Sequence, residues 1–130
     1  MYITLTNNEI YNYANDIIKN FSNEDLKLPI KINFYLQKNQ IELLALARNI
    51  EEQRINIVQE YGTLNNETNN YDVPREKMAE ATQKINELFD LTQEVKIYKI
   101  KLEDFGNLEL TSGQMQALLF MIEDEDEKDE

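Results

Sequence analysis

Apolar residues recur at three-to-four spacing along most of the chain and alternate only in short runs near its two ends. Tyr2 to Leu5 alternates and predicts a short strand. Thr6 followed by Glu9 is the signature of a capping box, in which the Thr hydroxyl accepts from a first-turn amide while the Glu carboxylate reaches back. A helix is predicted from Asn7 to about Phe21, with Ile10, Tyr13, Ala14, Ile17, Ile18 and Phe21 as its buried stripe. "SNEDLKLP" breaks the period, and Pro29 is well placed to open a second helix.

From Ile30 the period runs to Tyr61, where Gly62 marks the stop. A continuous helix of these 32 residues measures about 48 Å. Leu36, Leu43, Ile50 and Ile57 repeat every seven residues, while Phe34, Ile41, Leu44, Ile55 and Val58 fall on a neighbouring face. Phe34 is expected in the core. So wide an apolar surface needs a helical partner. The stretch from Pro74 to about Thr92, with Met78, Ala81, Ile85, Leu88 and Phe89 in phase, supplies one. The intervening "TLNNETNNYD" has no apolar period and reads as a flexible loop, closing a helical hairpin with unequal arms.

"VKIYKIKL" (residues 95–102) is β-branched and aromatic and predicts a strand. Its alternation changes phase between Ile97 and Tyr98, which implies either two covered faces or a bulge. "EDFGN" predicts a turn, Leu108 to Leu110 a second short strand, and Thr111 with Gln114 a second capping box launching a helix through Ile122. The two boxes read as one structural device used twice, since the helices they launch match in neither length nor pattern. The expected class is α+β and mostly helical. A long helical hairpin is joined by a small sheet of two or three short strands and flanked by N- and C-terminal helices. The N-terminal strand is expected to pair with the later ones, because a strand that short cannot bury its face alone.

Composition adds mainly exclusions. The 130 residues contain no His and no Cys, which removes imidazole bases, triads, thiol nucleophiles, disulfides and zinc sites built on those ligands. Three isolated glycines cannot build a phosphate-cradling loop. The pairs Glu24–Asp25, Glu51–Glu52 and Glu103–Asp104 are adjacent in sequence. On a helix such neighbours point about 100° apart, so none is a ready acid–base dyad. No apolar run approaches a membrane span, and no secretory leader is expected at the N-terminus. "NET" at 66–68 matches a glycosylation acceptor but has no secretory context. The expectation is a cytoplasmic, non-enzymatic protein with no cofactor and no metal.

The net charge of −12 is unevenly placed: Glu123 to Glu130, "EDEDEKDE", carries −6, and the other 122 residues carry the same amount. The expected organisation is one domain over 1–122 and an acidic, disordered tail over 123–130. The tail lacks the Gly and alternating ligand spacing of a calcium loop. It reads either as an interaction tail for a basic protein surface or as a solvated terminus. Lys96, Lys99 and Lys101 are the concentrated positive charge, expected on the solvent side or edge of a strand. Direct nucleic-acid binding is not expected in so acidic a chain. Tyr11 and Tyr35 lie beside the buried stripes and are candidate contact residues. With Glu123, Asp124, Glu125, Asp126 and Glu127 they form the candidate partner-binding set.

The order of elements resembles a group of small acidic proteins of tailed phages and prophages. The similar stretches are "ITLTNNEIYNYANDII", "LKLPIKINFYLQKN", "QEYG" and the run from Val73 to Glu125, "VPREKMAEATQKINELFDLTQEVKIYKIKLEDFGNLELTSGQMQALLFMIEDE". The resemblance is one of layout and contains no catalytic motif, so no site residue is carried over. It implies a phage or prophage origin and a non-enzymatic role. The expected partner is a protein, with a basic host protein covered and inhibited in one reading. In the other, the protein is a virion or assembly component that self-associates through the helical hairpin. No membrane partner is expected.

Overall fold

A computed structural model describes residues 1–22 and 26–123. The element order is β1 (Tyr2–Thr6), α1 (Asn7–Phe21), α2 (Ile30–Tyr61), β2 (Thr63–Asn65), β3 (Asn70–Asp72), α3 (Arg75–Asp90), β4 (Thr92–Lys96) and α4 (Ser112–Leu118). Short 3-10 turns occupy Leu102–Phe105 and Leu119–Met121. The expected class, mostly helical α+β with a long helical hairpin, is the observed one.

Local chemistry explains where α1 begins. The Glu9 amide donates to Thr6 Oγ1 at 3.0 Å, and the Thr6 amide donates to Glu9 Oε1 at 3.0 Å, satisfying end groups that the helix cannot pair itself. The second box has the same geometry: the Gln114 amide donates to Thr111 Oγ1 at 3.1 Å and the Thr111 amide to Gln114 Oε1 at 3.0 Å. Helix α2 runs unbroken over 32 residues. Its buried row is Ile32, Leu36, Asn39, Leu43, Ala47 and Ile50, with α1 and α3 packed against the helix. Ile10, Ala14 and Ile17 of α1, Val95, Ile97 and Ile100 around β4, and Leu118 and Met121 near the C-terminus complete one core.

Strand β1 pairs antiparallel with β4, from Tyr2 opposite Lys96 to Thr6 opposite Thr92, as the expectation for the N-terminal strand required. Buried Asn7 ties the junctions at one end of this ribbon. Its amide N–H donates to Leu91 O at 2.8 Å, its Nδ2 donates to Leu88 O at 2.8 Å, and its Oδ1 accepts from Gln93 Nε2 at 2.7 Å. The C-terminal end of α3 is thereby capped by a side chain at the start of α1.

Several expectations are corrected. The stretch 63–72 is not a structureless loop but an antiparallel hairpin, Thr63 opposite Asp72 and Asn65 opposite Asn70. Its residues are half-buried or exposed, so no core face imposes an apolar alternation. Asn65 Oδ1 accepts from the Glu67 amide at 2.9 Å, and Asn69 takes φ +60°, a conformation Asn tolerates better than most residues. Helix α3 ends at Asp90 rather than Thr92, and Met78 on it is exposed. Leu108–Leu110 is not a strand, and the helix after Thr111 stops at Leu118 and tightens to a 3-10 turn. The strand expected over 95–102 is instead Thr92–Lys96. The "EDFGN" turn becomes a 3-10 turn over Leu102–Phe105, followed by Gly106 at φ +57°.

Neither a bulge nor two covered faces accounts for the phase change at Tyr98. The strand has ended, and the side chain of Asn39 takes over as partner. Asn39 is fully buried on α2; its Oδ1 accepts from the Tyr98 amide at 2.7 Å and its Nδ2 donates to Tyr98 O at 2.9 Å. With its backbone held there, the chain leaves the period-two course, so Ile97 and Ile100 are both buried and Leu102 is exposed.

Candidate functional site

Helix α2 carries a second apolar row. Ile30, Phe34, Ile41 and Ile55 are 90%, 53%, 68% and 39% exposed. At about 100° per residue they fall on one line, opposite the Ile32–Ile50 row that faces the core. Phe34 is therefore a surface residue, against expectation, while Leu44 and Val58 of the same predicted face are half-buried. Gln37, Ala45, Arg48 and Glu52 fill the steps of three or four residues between 34, 41 and 55, so apolar and polar positions share the line. Packing by α1 and α3 uses the other side of the helix and leaves this line to solvent.

Beside the first half of that line lies a cluster of cations and rings. Tyr35, Phe34 and Lys38 on α2 meet Lys96 and Tyr98 at the exit of β4. The Tyr35 ring centroid is 5.8 Å from that of Tyr98 and 6.0 Å from that of Phe34. Lys38 Nζ stands 5.2 Å from the Phe34 centroid and 5.4 Å from that of Tyr98, and Lys96 Nζ is 5.2 Å from Tyr98. These distances fit attraction of ammonium groups to ring faces. The Asn39 clamp on Tyr98 fixes the arrangement, because it holds the β4 exit against α2. Below it, Lys31 Nζ pairs with Asp104 Oδ2 at 3.2 Å. The Lys101 amide donates to the same carboxylate oxygen at 2.9 Å. That amide, and then Lys31, hold the Asp104 carboxyl below its ordinary range.

Tyr35 is thus half-buried inside a cluster. Tyr11 lies elsewhere, its ring edge-on to Phe89 at 5.6 Å and its hydroxyl 3.5 Å from Glu51 Oε2. Glu51 is 16 residues beyond Tyr35 on α2, about 24 Å along the axis, so the two tyrosines do not share a surface. Tyr11 lines a shallow open depression of about 570 Å³ with Asn8, Asn12, Asn86, Phe89 and Asp90. Glu51 accepts from Arg54 Nε at 2.9 Å and Nη2 at 2.5 Å, which lowers its carboxyl and raises the guanidinium. Of the acidic candidates, Glu123 is half-buried and its amide donates to Ile100 O at 2.6 Å. Asp124, Glu125, Asp126 and Glu127 lie outside the described residues.

Among the described residues, every buried side-chain nitrogen or oxygen has a hydrogen-bond partner, and no three carboxylates gather. Asn7 and Asn39, the buried polar pair, bond chiefly to backbone groups. No helix there is long and apolar enough to cross a membrane. The Lys38–Tyr98 cluster escaped the sequence reading because it joins two segments about 60 residues apart. A local signal existed in Lys31, Phe34, Tyr35 and Lys38, which share one side of a helix at spacings of three, four and seven. No protein-family model matches the chain, and comparison with curated proteins and with solved structures gives no match.

Proposed function

We propose that the protein is a non-catalytic accessory protein, of phage or prophage origin, that acts in the host cytoplasm by binding another protein through the outward side of α2. The observation that carries this reading is the exposed row Ile30, Phe34, Ile41 and Ile55 on a helix whose opposite side already fills the core. Large apolar side chains aligned over most of a 32-residue helix are costly to leave in water and gain from a partner surface. The acidic terminus adds an electrostatic contact suited to a basic partner, such as a host factor that the protein would cover and inhibit. The origin rests on the resemblance of layout alone. The absence of His and Cys, and the bonding of both buried amides into the fold, favour binding over catalysis.

Self-association is the second reading, favoured by Phe34, Ile41 and Ile55, which recur on the outward line at multiples of seven residues, as one position of a seam with a facing copy of α2 would. Affinity capture from host extract with wild-type protein and with Ile41→Glu tests the first reading: a partner must be retained by one and lost by the other. Sedimentation over a wide concentration range tests the second. A wild-type oligomer that Ile41→Glu dissociates supports it, and a strict monomer rejects it.

A further inference from the structure

The cationic–aromatic cluster has a candidate occupant within the same chain. Among the described residues neither Lys38 nor Lys96 has a carboxylate in salt-bridge range; each stands over an aromatic ring instead. Residues 124–130 contain six acids and one Lys. The chain enters that segment beside the cluster. Ile122 bridges Ile100 in parallel, the Ile100 amide donates to Met121 O at 2.8 Å, and the Glu123 amide donates to Ile100 O at 2.6 Å. Lys99 and Lys101 flank Ile100, Tyr98 is two residues before it and Lys96 four. Four residues span at most about 14 Å, whereas the seven beyond Glu123 reach about 24 Å when extended.

We propose that the cluster of Lys38, Lys96, Tyr98, Tyr35 and Phe34 is a docking surface for acidic peptide and that residues 124–130 of the same chain occupy it. Carboxylates pair with the two ammonium groups, while the rings, which already hold those ammonium groups in place, limit the ordering cost of the lysines. Individual exposed ion pairs are weak, so the contact would be poor between separate molecules. The short tether changes this, because it supplies an effective concentration in the millimolar range. A segment docked in this way keeps its acids from indiscriminate basic surfaces and yields them to a partner that competes for them. The contact is internal to the isolated protein, so its test does not depend on the binding role proposed above.

The test compares amide NMR spectra of the ¹⁵N-labelled full chain and of a chain ending at Glu123. Both are recorded at about 0.01 M and about 1 M salt, between which the screening length falls from roughly 30 to 3 Å. At low salt the amides of 31–38 and 96–101 should differ between the two proteins, independently of concentration, and at high salt they should coincide. The double substitution Lys38→Gln/Lys96→Gln in the full chain should return those amides to their positions in the shortened one. A synthetic peptide of residues 124–130, added to the shortened chain at millimolar level, should reproduce the shifts and should leave the full chain unmoved. Differences confined to 121–123 at low salt overturn the proposal. So do differences that grow with protein concentration, since the occupant would then be the segment of a second copy.

Discussion

At position 39 a side-chain amide does the work of a neighbouring strand, closing a reciprocal pair of hydrogen bonds with the backbone of Tyr98. Asn39 is fully buried and Tyr98 half-buried, so without the amide both backbone groups of Tyr98 would lose their partner, and a buried unpaired group costs about 1–3 kcal/mol. Asn39→Leu should therefore destabilise the protein by about 2–4 kcal/mol in urea unfolding despite its greater apolar area. Asn39→Asp makes a sharper test. An ionised carboxylate accepts from the Tyr98 amide but cannot donate to Tyr98 O, and burial opposes its charge, so its folded pKa is raised. The variant should come closest to wild-type stability below about pH 4, where a free Asp is protonated, and lose ground as pH rises. A pH-independent difference from wild type would reject this account. Glu51 has the opposite sign. Arg54 lowers its folded pKa, so its contribution is present above about pH 4.3 and lost as pH falls through the lower folded value. Thermal melts of Glu51→Gln should show a smaller acid-side decline than wild type, and a modest one because the pair is partly exposed.

Among the elements, legibility followed the presence of a local chemical signal. The bounds of α1 and α2 were readable because Thr6 and Glu9, Pro29 and Gly62 mark their ends in sequence as they do in space. The hairpin β2–β3 was not readable, since its strands have no buried alternation and depend on the side chain of Asn65 and the positive φ of Asn69. Gly62 acts here by close approach rather than by a left-handed backbone: at φ −118° it is extended, but a Cβ would lie 2.9 Å from Val58 O and 3.1 Å from Asp72 O. Both neighbours are backbone atoms and cannot swing aside. Gly62→Ala should push the β-hairpin from the end of α2, costing about 1–3 kcal/mol by analogy with overpacking elsewhere. Hydrogen exchange should rise at 63–72 and stay unchanged in α1. Thr6→Ala and Thr111→Ala should each cost about 1 kcal/mol. Equal losses would support one capping device used twice. The site was less legible than the fold: Tyr11 and Tyr35, read as lying beside the buried stripes, are half-buried but on separate surfaces. The cluster around Tyr98, however, needed α2 and the β4 exit to be brought together by Asn39, a contact no local pattern encodes.

For the molecule as a whole, the decisive feature is that α2 is apolar on two opposite sides and packed on one. A helix surrounded by protein would bury both rows, and a helix on the surface of a self-sufficient domain would carry few large apolar residues in line on its outer side. Gln37, Arg48 and Glu52 show that this line is adapted to water between its apolar positions, which fits a contact made and released rather than a permanent core. Stability and binding should therefore separate under mutation. Ile41 is 68% exposed at mid-helix, and Glu is a good helix former, so Ile41→Glu should shift unfolding free energy by no more than about 0.5 kcal/mol. The same change should abolish capture of a partner, or dissociation-sensitive self-association, because a carboxylate would be left buried and unpaired in the centre of the contact. Leu43→Ala, two residues away on the buried row, should do the reverse: it should cost about 2–5 kcal/mol of stability and leave binding intact in molecules that remain folded. If Ile41→Glu instead lowered the melting temperature as much as Leu43→Ala, the outward row would belong to the packing of the isolated chain, and the proposed role of α2 would fail.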